Sequence, residues 1–182
     1  MSDTFEPALL VSMPQMQDPN FARSVVLLCD YAPEGAFGLV LNRPTDNPAS
    51  SMVRLEPAIV GANALPLCLG GPVEPERGWI LIGEQPADAD CRTICDGVYL
   101  STSPQLLRQV LTATPAPRAR VLAGYAGWGP GQLDAELAQS AWLIGSVDAD
   151  LIFDIDTGAM WETAIRRLGA DPSSLQMSHG VH

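Results

Sequence analysis

The chain has 182 residues, 47% of them hydrophobic, which suits one domain (1–182) able to bury a substantial core. Its 21 acidic residues against 10 basic ones, all arginine, give a formal charge of −11, a field that repels phosphate backbones and anionic membranes. Met1-Ser2-Asp3-Thr4-Phe5-Glu6-Pro7 lacks the basic start and apolar core of a signal peptide, and no apolar run approaches the roughly 18 residues of a membrane span, so a cytoplasmic protein without membrane association is expected.

Ala8–Ser12 is the first strand candidate, ended by Met13-Pro14 because proline cannot continue a central ladder. After the turn signal Asp18-Pro19-Asn20-Phe21, Ser24–Cys29 runs apolar without alternation, as a strand covered on both faces does. Phe37–Leu41 repeats that pattern, which predicts a hairpin with a six-residue connection, Asp30 to Gly35. Residues Thr45 to Pro66 carry Pro, Ser and Asn with sparse apolar spacing, where a short irregular helix is expected. Leu67-Cys68-Leu69 leads into a glycine turn at Gly70-Gly71-Pro72-Val73; Arg77–Ile82 reads as a strand and roughly Thr93 to Leu100 as another.

Ser103 caps a helix with Pro104 at its first position and Leu106, Leu107, Val110 and Leu111 on one face. Arg120–Ala126 then ends in Gly124-Tyr125-Ala126-Gly127-Trp128-Gly129-Pro130-Gly131-Gln132-Leu133, read as a strand-to-helix turn whose helix start could offer free N–H groups to an anion. Trp142–Val147 and Leu151–Asp154 are two further short apolar runs. Asp156-Thr157 caps a last helix lined by Met160, Trp161, Ala164, Ile165 and Leu168, with Arg166 and Arg167 in its final turn and Gly169 and Pro172 beyond. The tail 173–182 is expected to be mobile.

Strands dominate the first half and mix with a few helices in the second, without strand-helix alternation. The expected class is therefore α+β: one domain with an antiparallel or mixed, barrel-like sheet of seven or eight strands flanked by helices. Cys91 and Cys95, four residues apart in a strand, stand about 13 Å apart, too far for one metal or a disulfide, so these two with Cys29 and Cys68 are expected as thiols.

Met13-Pro14, Asp18–Val25, Gly35–Pro44, Gly70-Gly71-Pro72-Val73 with Arg77-Gly78, and Gly124–Leu133 occur in an order that resembles the AlgH/YqgE family of bacterial proteins over nearly the whole chain. The resemblance implies a compact α+β fold with a barrel-like sheet, in a cytosolic protein of unestablished activity. Some members are called transcriptional regulators through an association with alginate production. Where many relatives carry histidines, this chain has Tyr31 and Ile82; its two histidines, His179 and His182, lie in the tail.

No histidine in the body of the domain could serve a serine nucleophile as base, and neither a Gly-x-Ser-x-Gly elbow nor a phosphate loop with lysine is present. Gly127, Gly129 and Gly131 imitate a dinucleotide fingerprint, but Trp128 and Pro130 would crowd the pyrophosphate, so no cofactor is expected. What remains is a polar set at motif ends: Arg23, Ser24, Asn42, Arg43, Arg77, Tyr125, Trp128 and Gln132. The arginines Arg23, Arg43 and Arg77 could hold a carboxylate or phosphate around one concavity. Equally physical is a structural role, bonding backbone carbonyls or pairing with Asp18, Glu74 and Glu76. The leading expectation is a non-catalytic binding or regulatory module for a protein partner or small anionic ligand. A hydrolase using Asp18, Asp30 or Glu34 with a metal or water comes second. A DNA-binding regulator comes third, because only Arg118 with Arg120 and Arg166 with Arg167 are close in sequence.

Overall fold

The computed structural model describes residues 5–87 and 91–169, so the expectations for Pro172, the tail and its histidines lie outside the described residues. Ten strands form among them: β1 (Ala8–Ser12), β2 (Val25–Ala32), β3 (Gly35–Val40), β4 (Pro44–Pro48), β5 (Pro66–Leu69), β6 (Val73–Ile82), β7 (Arg92–Cys95), β8 (Val98–Ser101), β9 (Ala119–Trp128) and β10 (Trp142–Ser146). Five helices accompany them: α1 (Ala49–Met52), α2 (Pro104–Thr112), α3 (Gln132–Ala138), α4 (Ala149–Phe153) and α5 (Thr157–Arg167). Eight strands follow the order β10-β1-β2-β3-β9-β6-β8-β7, all antiparallel, while β4 pairs with β5 and β5 lies parallel to β9. The sheet curls into a half barrel, as the strand-rich order predicts.

The unbroken apolar run of β2 has a direct explanation. Val25, Leu27 and Cys29 face one cluster with Leu9, Val11, Leu39, Leu122 and Leu81, which α4 and α5 fill with Leu151, Ile152, Met160, Trp161 and Ile165. Val26 and Leu28 face the other side, against Trp128, Leu133 and Trp142. A third cluster, Ile80, Val121, Leu67 and Ala119 under Leu106, Val110 and Leu111 of α2, covers the opposite end of the outer face. Burying such a Leu or Ile side chain contributes about 1.5–3 kcal/mol, so both faces carry the fold.

The two glycine motifs serve each other. Gly70 donates to the Ala123 carbonyl at 2.7 Å and its own carbonyl accepts from Val40 at 2.8 Å, bringing the β5–β6 turn against the middle of β9. At Gly124, φ is +78° and a Cβ would overlap the Gly71 carbonyl, so only glycine allows the two backbones to touch.

Several sequence expectations are corrected. The β2–β3 hairpin is joined by two residues, Pro33 and Glu34, because both strands pair as far as Ala32 and Gly35. The stretch from Thr93 to Leu100 is a hairpin, β7 and β8, turned at Asp96-Gly97 with Gly97 at φ +88°. Residues 151–154 belong to α4 and its C-cap instead of a strand, because Asp148 accepts from the Asp150 and Leu151 N–H groups at 3.1 and 3.4 Å and starts a helix. The glycine stretch is strand as far as Trp128, held by pairing to β3 and β6; the turn is only Gly129-Pro130-Gly131. The Gly129 N–H there is taken by Gln132 Oε1 at 3.0 Å and the Gln132 N–H by the Gly129 carbonyl at 3.1 Å.

Candidate functional site

Curling brings the last strand of the path back toward the third. Arg92 on β7 forms a fork to both oxygens of Asp30 on β2, at 2.7 and 2.9 Å, and donates to the Cys29 carbonyl at 2.5 Å. A bulge between Leu28 and Asp30 breaks the β2–β3 register where Asp30 stands. The half barrel is thus bridged by side chains instead of a ladder. The Asp30 fork helps keep the Arg92 guanidinium charged, and burial pushes the Cys29 thiol up to about 12, so Cys29 is an inert neighbour.

Within this bridge a cleft of about 470 Å³ opens at the mouth of the half barrel. Phe37, Trp79 and Tyr125 line it, from β3, β6 and β9, with ring centroids 5.0 to 6.2 Å apart in tilted and edge-on contacts. Leu100 and Ser101 of β8, then Thr102, complete one side; Arg77, Arg92 and Asp30 supply the charge. Arg77 lies in the second bulge, where β6 departs from β9 between Val73 and Gly78 and Glu74 takes a left-handed φ of +45°. Tyr125 donates to Glu74 Oε2 at 2.7 Å, and that bond, followed by burial, pushes the phenol above its ordinary range.

Two groups of the mouth stand out by what they do not bond; Arg43 Nε is also buried without a partner among the described residues but lies beyond the end of β3. The Arg77 guanidinium lies 4.5 Å over the Trp79 ring and, among the described residues, has no hydrogen bond or ion pair. Trp79 is 7% exposed, and its Nε1 is buried without a hydrogen-bond partner among the described residues. Since nearly all buried donors are paired, an orphaned indole N–H calls for a physical account.

The eight residues singled out in sequence fall into three places. Arg77 and Tyr125 line the mouth. Arg23, Ser24, Asn42 and Arg43 tie the 18–24 loop to the end of β3: Asn42 accepts from Val25 and donates to the Arg23 carbonyl, Arg43 donates to the Ala22 carbonyl, and Ser24 to that of Phe21. Arg23 instead pairs with Glu162 at 3.2 Å over Trp161, so the three arginines do not share one concavity. Trp128 and Gln132 form a third group on Glu136. Of the carboxylates considered for hydrolysis, Asp18 caps its own turn by accepting from Asn20, and Asp30 is held by Arg92. No three His, Cys, Asp or Glu are grouped to hold a metal among the described residues, and no described helix is long and apolar enough to cross a membrane. Sequence reasoning did not single out Arg92, Trp79 or Phe37; the Asp96-Gly97 hairpin signal was the cue that would have separated β7 and put Arg92 on an edge strand.

A family model described as AlgH-like matches residues 9–173. The chain belongs to the AlgH-like family. Within it, UPF0301 proteins of Myxococcus xanthus and Ruegeria pomeroyi are 37% and 36% identical, covering 97% and 94% of this chain and 97% and 96% of theirs. The solution structure of the AlgH protein from Pseudomonas aeruginosa superposes with a TM-score of 0.76 at 31% identity, over 97% of each chain. DIP2367 of Corynebacterium diphtheriae, 20% identical, shares the fold with a TM-score of 0.68. The AlgH-like fold is therefore shown, and the relatives' names carry no activity to transfer.

Proposed function

We propose that this AlgH-like protein is a non-catalytic binding module for a small anionic ligand taken up at the mouth of the half barrel. The observation that carries the reading is Arg77, a guanidinium with no anionic partner among the described residues, standing over an aromatic surface in a cleft of ligand-binding size. Arg92 is offset by Asp30 and Glu74 is bonded to Tyr125, so Arg77 is the cation left to meet a carboxylate or phosphate. Beside these rings such an ion pair is less hydrated than one surrounded by water, and so stronger. The hydrolase reading is weaker, because Asp30 is committed to Arg92. A DNA-binding reading is opposed by the −11 charge, and no specific binding to duplex DNA is expected at physiological salt.

Calorimetric titration with butyrate, benzoate and inorganic phosphate at low and physiological salt tests the reading. The expected result is binding that weakens with salt and is lost in Arg77→Gln at unchanged melting temperature. Heat traces equal to buffer for every anion, or equal binding by Arg77→Gln, would discard it.

A further inference from the structure

A second cleft of about 550 Å³ adjoins the mouth, and it is lined chiefly by apolar side chains: Met52, Leu55, Leu67, Ile80, Leu107 and Val121. Arg54 and Glu76 also line it, charges of opposite sign. The two clefts share Trp79 and Thr102. They meet where the sheet is open. Pairing of β6 with β8 stops at Ile80 with Ser101, so among the described residues Arg77, Gly78 and Trp79 have no strand partner on that side; Gly78 and Trp79 still pair with Ala123 and Leu122 of β9, and the bulge releases Arg77 from β9 as well. At Gly78 an added Cβ would find only the Leu122 carbonyl, at 4.0 Å, so the passage beside the strand is roomy.

We propose that the ligand is an amphiphilic carboxylate, its head on Arg77 in the mouth and its aliphatic chain passing the free edge of β6 at Gly78 into the second cleft; this rests on the reading of the mouth as an anion site. A cationic end and an apolar end, joined across the edge of β6 that β8 leaves uncovered, match such a molecule in both chemistry and order. A compact anion would leave the second cleft unused, and a neutral chain would leave Arg77 unpaired. Trp79 walls both clefts, so a bound head and chain would both touch its ring. Met52, 55% exposed at the rim, offers an unbranched thioether that adapts to chains of different length.

The test is calorimetry of the full chain with butyrate, octanoate and dodecanoate below their micelle concentrations, and with dodecanol as the chain without its charge. Affinity should rise about fourfold for each methylene entering the second cleft, then level off. Arg77→Gln should weaken every carboxylate at least tenfold and leave dodecanol unchanged. Gly78→Leu should flatten the series while butyrate still binds; Leu107→Gln, on the half-buried side of α2, is the alternative block should Gly78→Leu melt early. Butyrate binding with no chain-length dependence in the parent overturns this inference alone. No binding by any carboxylate overturns it together with the anion reading. A steep series that survives both blocking variants places the chain elsewhere and overturns the route.

Discussion

Two aromatic clusters lie on opposite faces of the sheet around β9, and they differ in how their polar groups are used. Around Trp128, both indole N–H groups, of Trp128 and Trp142, donate to one oxygen of Glu136 at 3.1 and 2.8 Å; Gln132 donates to the other, and Phe21 packs on both rings. Around Trp79, the indole N–H has no partner and the nearest cation has no anion among the described residues. One cluster is complete in the isolated protein and so is structural. The other has a donor and a charge to spare, which is what a site open to a ligand requires.

The comparison can be broken first at its complete end. Trp128→Ala removes a side chain 4% exposed and should cost about 3–5 kcal/mol in urea unfolding. Wild-type stability in that variant would show that the cluster carries nothing. A sharper contrast uses one chemistry in both clusters. Trp142→Phe loses a hydrogen bond to a charged group, whereas Trp79→Phe loses a donor that had no partner, so the first should cost about 1.5–3 kcal/mol more than the second. Equal costs would mean that Trp79 has a bonding partner after all. Arg77→Gln should move stability by less than about 1 kcal/mol, since an exposed cation over a ring contributes little, while abolishing anion binding.

The smallest effect is a titration. Because the bond to Glu74 raises the Tyr125 pKa in the folded state, its contribution is fully present below the ordinary phenol value of about 10 and is lost as pH rises through the raised one. Ultraviolet titration of tyrosinate should show two late-ionising residues, one of which disappears in Tyr125→Phe while Tyr31, bonded to Asp134, remains. Early ionisation of Tyr125 would mean that the bulge at Glu74 is not held as described.

Much of the fold was legible because single residues act locally. Ser103 and Pro104 start α2 as their positions predict, with Ser103 Oγ accepting from Leu106 at 3.2 Å, and the apolar run of β2 announces its burial on both faces. The misreadings came from contacts that sequence spacing does not contain. Gly124 and Gly127 read as a turn, but the approach of Gly71 and pairing with β3 keep them in a strand. Half of the polar set, Arg23, Ser24, Asn42 and Arg43, lies together for a structural reason, the tie of a loop to β3. The mouth was legible only through Arg77, Tyr125 and, as a candidate carboxylate, Asp30. Its other walls come from β3, β7 and β8, and only the curl of the sheet brings Arg92 to Asp30.

The central claim, that the mouth and not the Trp128 cluster meets the ligand, is tested most directly by the indole N–H resonances of the tryptophans during titration with dodecanoate. The account predicts that the Trp79 resonance moves in proportion to binding, while those of Trp128 and Trp142, already bonded to Glu136, and of Trp161, bonded to the Ser12 carbonyl at 2.8 Å, stay in place. A stationary Trp79 resonance with movement at Trp128 or Trp142 would contradict it.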